Sequence, residues 1–209
     1  MITVVDYGRG NLFSLSNALT SIGAAHVVTS DPQEVASAEM LILPGVGAFG
    51  DAIETLRSRG LDAPIIERIA ANVPFLGICV GCQLLLGWGR EFGDHRGLDV
   101  IDGEVRKLPD YTPDQEDGVR LPNVGWRRLD VRATAPLLKT LGNGEYVYFV
   151  HSYFPNPAAE ADIGATCRLN GQDIPIAVVR GSALGVQFHP EKSGPAGLAF
   201  LKAFVDQAS

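Results

Sequence analysis

The first part of the chain carries four short, largely apolar runs: Ile2-Thr3-Val4-Val5, Val27-Val28, Met40-Leu41-Ile42-Leu43 and Val73-Pro74-Phe75-Leu76-Gly77-Ile78. Strands that do not alternate with polar residues are buried on both faces, as in a parallel sheet covered by helices. Helical spacing fills the gaps between them. Leu12, Leu15, Leu19 and Ile22 share a face that Asn11 is expected to cap and Gly23 to stop. Asp31-Pro32 opens a short helix with Glu34 in reach of a capping box, and residues 51–58 and 62–71 read as two further helices. The third run ends in the glycine-rich loop Pro44–Gly50; the fourth runs through Cys79 into a helix. After that the pattern changes. Segments 98–108, 121–131, 146–153, 164–169, 174–180 and 183–188 read as strands with short connections, and a helix covers 195–207. Residues 109–118, acidic and proline-bearing, read as a surface loop. The expectation is an α/β fold in a single domain, 1–209. It has one mixed, mostly parallel sheet flanked by helices, with antiparallel strands in the second half.

Composition narrows the partners. The 209 residues are 46% hydrophobic and 20% charged, with net charge −7 and pI near 5.0. Without a basic cluster the chain is not expected to bind nucleic acid. No apolar run is long enough to span a membrane, and the strand-like N-terminus is too short for a signal peptide. The three cysteines, at 79, 82 and 167, suit a reducing cytoplasm better than a disulfide framework. Cys79 and Cys82 have the spacing of a redox or zinc pair, but no second pair completes a site, so no metal is expected.

The chemistry centres on Gly77-Ile78-Cys79-Val80-Gly81. A strand running into a tight turn and a helix, with a thiol at its apex, is the cysteine form of the nucleophile elbow. The flanking glycines leave room for the turn, and the helix N-terminus beneath favours the thiolate. The alternative is a buried cysteine acting as a small hydrophobe. A base and its orienter are present in Phe188-His189-Pro190-Glu191, which follows a strand end. Pro190 biases His189 toward extended backbone, where residues two apart point the same way, so Glu191 is expected to orient the His189 imidazole. That is triad logic with Cys79 as nucleophile. Val80 N–H is one natural oxyanion donor, and the Gly45-Val46-Gly47 loop is expected to supply another. Of the other histidines, His26 and His95 read as structural; His151, after an apolar strand, could approach the site.

Together these motifs resemble the class I (triad) glutamine amidotransferases, over nearly the whole chain. Asp6-Tyr7-Gly8-Arg9-Gly10-Asn11-Leu12, Leu43–Gly50, Val124-Gly125-Trp126, Tyr148–Tyr153 and Gly185–Ser193 narrow the likeness to the glutaminase subunits of imidazole glycerol phosphate synthases. The resemblance implies a flavodoxin-like fold and hydrolysis of the glutamine side-chain amide through a glutamyl thioester. Ammonia then passes to a barrel-shaped cyclase subunit, in a heterodimer serving histidine biosynthesis. It further implies that Gln83, Ser152, Tyr153 and the Gly45–Gly47 loop hold glutamine. Asn11, Trp126 and Lys192 would face the cyclase, and neither metal nor organic cofactor is involved. Cys82 stands where the family usually has Met, and Asn123-Val124-Gly125-Trp126-Arg127 replaces a more usual His-Met-Gly-Trp-Asn. The second departure leaves open a paralogous synthase in surface-sugar amination. Other readings are a stand-alone cysteine hydrolase, such as a γ-glutamyl hydrolase, and a non-catalytic module, which the intact Cys79, His189 and Glu191 oppose.

Overall fold

The computed structural model describes residues 1–111, 118–132, 135–142 and 145–208; part of the expected 109–118 loop lies outside them. The strands are β1 (Ile2–Val5), β2 (His26–Thr29), β3 (Leu41–Gly45), β4 (Phe75–Cys79), β5 (Leu86–Gly89), β6 (His95–Arg96), β7 (Ile101–Lys107), β8 (Asn123–Arg128), β9 (Asp130–Val131), β10 (Tyr146–His151), β11 (Tyr153–Pro157), β12 (Ile163–Leu169), β13 (Gln172–Arg180) and β14 (Ala183–Val186). The helices are α1 (Leu12–Ser21), α2 (Pro32–Ala36), α3 (Phe49–Ser58), α4 (Asp62–Ala70), α5 (Val80–Gln83) and α6 (Gly194–Val205).

Eight strands form the main sheet in the order β2-β1-β3-β4-β14-β13-β12-β9. From β2 to β14 all neighbours run parallel; β13, β12 and β9 continue antiparallel. The apolar runs form its centre, and β1, β3, β4 and β14 are buried throughout. The expected single sheet is corrected here: β11-β7-β5-β6 form a separate four-stranded sheet, and β10-β8 a two-stranded ribbon. β5 and β6 were not foreseen, because Leu84-Leu85-Leu86 reads equally as the continuation of a helix. Segment 146–153 divides at Ser152 into β10 and β11, which join different sheets.

Two expected caps are also corrected. Asn11 makes no side-chain bond to α1. Asp31 caps α2 by accepting from Gln33 N at 2.9 Å, but Asp31 N donates to Thr29 Oγ1 instead of completing a box with Glu34.

The core locks the segment after β14. Phe188 packs edge-on against Phe149 of β10 and Phe200 of α6, with ring centroids 6.1 and 5.7 Å apart. All three are fully buried, so residue 188 is an anchor for the residue that follows it.

Candidate active site

β3, β4 and β14 lie side by side, and their carboxyl ends carry the glycine-rich loop, Cys79 and the segment leading to His189. Such an edge of an open α/β sheet is where ligands bind. Cys79 sits at φ 56°, ψ −112°, a left-handed conformation that side chains rarely adopt. The flanking glycines are required by close approach. A Cβ at Gly81 would overlap the Leu43 carbonyl oxygen of β3, and one at Gly77 would meet the Gly81 carbonyl. The helix after the elbow is a single turn, Val80–Gln83. Cys79 itself is buried, at the wall of a cavity.

His189 Nδ1 and Glu191 Oε1 are 2.8 Å apart, both side chains almost fully buried. The backbone at His189 is extended, as Pro190 requires, but Glu191 lies in the 3-10 turn Pro190–Lys192. The carboxylate therefore reaches the ring by a turn, not by strand alternation as expected. His189 is also clamped through its backbone: its N–H donates to the Tyr148 carbonyl at 2.9 Å, and Ser193 Oγ donates to its carbonyl at 2.6 Å. Burial opposes charge on the imidazole. The Cys79 sulfur beside the ring and the Glu191 carboxylate bonded to it outweigh that cost and push the pKa up to about 10. The described hydrogen bonds leave Nε2 without a partner. The carboxylate holds Nδ1–H, which leaves Nε2 to exchange a proton with the thiol.

The cavity, about 360 Å³, is lined by Val46, Gly47, Cys79, Val80, Gln83, Glu91, His151, Ser152, Tyr153 and His189, with Pro122 and Val150. Every expected glutamine-holding residue except Gly45 faces it; Gly45 pairs with Cys79 across β3 and β4 and sits behind. Gly47, at φ +94°, turns the loop. Val80 is the first residue of α5, so its N–H is free of intrahelical bonding, as an oxyanion donor must be.

Among the expected partner-facing residues, Trp126 is exposed and stacks edge-on to Tyr148 at 6.1 Å; Lys192 Nζ lies 5.9 Å over the same ring. Asn11 lines a small void with His189 and Glu191. These residues ring the outer side of the triad.

Sequence reasoning missed Glu91 and Gln187. Glu91 Oε2 accepts from Phe49 N, the first residue of α3, at 2.8 Å, and nothing in Arg90-Glu91-Phe92-Gly93 marks that role. Gln187 Nε2 lies 3.6 Å from Cys79 Sγ. Its position two before His189 was the available signal. His151, foreseen as able to approach the site, does so neutral: burial pushes its pKa down to about 4. Tyr7, fully buried beside Gly45 and held un-ionised by burial and by Cys79, was not singled out.

Comparison with known proteins gives the family. The family model for glutamine amidotransferase class-I matches residues 3–208. "Imidazole glycerol phosphate synthase subunit HisH" of Syntrophotalea carbinolica is 42% identical, over 99% of this chain and all of the relative. The protein of that name from Salinibacter ruber is 46% identical, over 98% of this chain and 93% of its own. In fold, the chain superposes on a crystal structure of a glutamine amidotransferase with TM-score 0.72, 18% identity and coverage of 100% and 99%. The PurLQS structure from Thermotoga maritima gives the same TM-score and identity, with coverage of 100% and 98%. The chain belongs to the class I glutamine amidotransferases, and within them to the family of the HisH subunits of imidazole glycerol phosphate synthase.

Proposed function

We propose that this chain hydrolyses glutamine as the glutaminase subunit of an imidazole glycerol phosphate synthase, and that its ammonia is consumed by a cyclase subunit bound to it. The observation that carries the reading is the His189–Glu191 pair, buried beside a strained cysteine at the end of a parallel strand and opening into one cavity. Full-length relatives named as synthase subunits favour this over a stand-alone cysteine hydrolase.

The steps follow from the groups present. Glutamine enters with its side-chain amide against Cys79. Glu91 is the carboxylate of the cavity wall and suits the α-ammonium. Gln83 donates both Nε2 protons inside the protein, to the Tyr153 carbonyl at 3.1 Å and to Gln187 Oε1 at 2.9 Å. Its Oε1 is left to accept from the substrate. The thiolate attacks the amide carbon, and the oxyanion meets Val80 N–H and the Val46–Gly47 loop. His189 gives its proton to the leaving nitrogen, so ammonia departs and a glutamyl thioester remains. It then takes a proton from water, which attacks the thioester and releases glutamate. No cofactor enters these steps. Trp126, Lys192 and Asn11 are assigned to the cyclase face. Cytoplasmic location fits the free thiols, and among the described residues no helix is long and apolar enough to cross a membrane.

Cys79→Ala tests the reading. Glutamine hydrolysis is expected to fall by about 10³-fold or more, with the circular dichroism spectrum and unfolding midpoint retained. Wild-type turnover in this variant would end the triad assignment.

A further inference from the structure

Seven groups make one unbroken hydrogen-bonded path from the ribbon β8–β10 to the nucleophile. Arg127 Nε donates to Asn123 Oδ1 at 3.0 Å, and Asn123 Nδ2 lies 2.9 Å from His151 Nε2. His151 Nδ1 meets the Tyr153 carbonyl at 2.8 Å. Gln83 Nε2 reaches the same carbonyl and Gln187 Oε1, and Gln187 Nε2 ends the path at Cys79 Sγ.

Two members of the path fix every proton in it. A carbonyl oxygen only accepts, so Gln83 and His151 must both donate to Tyr153. Gln83 therefore turns its other N–H to Gln187, whose amide must face it with oxygen and present NH₂ to the sulfur. On the other side His151 carries its proton on Nδ1, so Nε2 accepts and Asn123 must donate. Arg127, which only donates, holds Asn123 in that orientation. No amide in the path can flip without setting two donors or two acceptors against each other. Asn123, His151, Gln83 and Gln187 are all buried, where such a mismatch is costly.

We propose that Gln187 is a positioning residue for the nucleophile, donating a hydrogen bond that orients and stabilises the Cys79 thiolate, and that Arg127, through Asn123, His151 and Gln83, holds the Gln187 amide in the donating orientation. This rests on the triad reading above. It gives a purpose to Asn123 and Arg127, the two outer positions at which this chain departs from the usual pattern. Cys79 is otherwise faced by His189, Tyr7 and Cys82, and by Glu91 across the cavity; Arg9 lies by Tyr7.

The test is the pH profile of iodoacetamide alkylation, followed at Cys79 by mass spectrometry on the full chain without glutamine. Gln187→Met keeps the volume and removes the donor. Its profile is expected to move up by about one pH unit, the equivalent of tenfold less thiolate at a given pH. kcat should fall by about tenfold with KM within about twofold. Arg127→Leu is expected to move the profile the same way by less, Arg127→Lys to restore it, and the double variant to move no further than Gln187→Met alone. Profiles unmoved in Gln187→Met and Arg127→Leu overturn the proposal. If Gln187→Met does not fold, an unmoved profile in Arg127→Leu, whose side chain is at the ribbon's edge, overturns it alone. Cys79→Ala keeps the two readings apart. If it retains glutaminase activity the triad fails; if it is inactive while the profiles coincide, only the relay fails.

Discussion

His151 shows how burial decides the state of a single side chain. It touches the site yet is held neutral, its pKa pushed down to about 4 by burial, with His189 and Arg127 adding to the effect. The unfolded chain binds a proton there near pH 6.5, so the folded state is penalised as pH falls from about 6.5 to 4 and not above. His189 is shifted the other way, to about 10, and its contribution is constant below pH 6.5. Between pH 6 and 4.5, where the His189 contribution is nearly constant, stability is therefore expected to drop by about 1.5 kcal/mol on account of His151. Urea unfolding at pH 6 and 4.5 checks it: His151→Asn should lose most of that difference, whatever its effect at pH 6. An unchanged difference would show that His151 titrates normally in the folded protein. In the sequence His151 was legible as a neighbour of the site but not as a neutral one. Its partners Asn123 and the Tyr153 carbonyl come from elsewhere in the ribbon and from the next sheet.

The elbow is a property of two adjoining strands more than of its own motif. β4 and β3 pair from Leu41↔Phe75 to Gly45↔Cys79, which presses Gly81 onto the Leu43 carbonyl. Gly81→Ala is expected to destabilise the fold by about 2 kcal/mol or more, since backbone has no rotamer with which to yield. It should also lower glutaminase activity by displacing the Val80 N–H. Denaturant unfolding and steady-state rates measure both, and a neutral variant would remove close packing as the reason for the glycine. The motif's glycines were visible in the sequence. Their partner was not, because the Gly81 contact needs the register between β3 and β4. The same limit explains Glu191. Pro190 correctly signalled extended backbone at His189, but the turn that follows depends on Ser193, just before α6, and on Tyr148 of β10, which clamp it.

Exposed aromatic surface lies beside His189, the base of the proposed triad. Tyr148 stands opposite Trp126 in the ribbon and accepts the His189 N–H through its own carbonyl. Val124, Trp126 and Val150 are exposed on the same ribbon, and Phe13 on α1. A partner seated there would cover apolar surface and press on the backbone that holds the imidazole. Trp126→Ala is expected to weaken binding of the cyclase subunit by about tenfold or more, as removal of a central aromatic anchor does. Isothermal titration against the purified cyclase gives the value. Cyclase activity with added ammonium salts should be unaffected, because that reaction bypasses the glutaminase; equal affinity for the variant would move the interface elsewhere.

Local pattern was enough for the parallel half of the fold and to single out Cys79, His189 and Glu191, with the loop beside them, as candidates. Uniformly apolar strands, glycine spacing and Pro190 act over a few neighbouring residues, and each leaves its mark in the chain. The division into three sheets, Glu91 at the cavity wall and the path from Arg127 to Gln187 had no such mark. Each depends on groups far apart in sequence meeting at hydrogen-bonding distance, and only the packing of β3, β4, β14 and the ribbon brings them there.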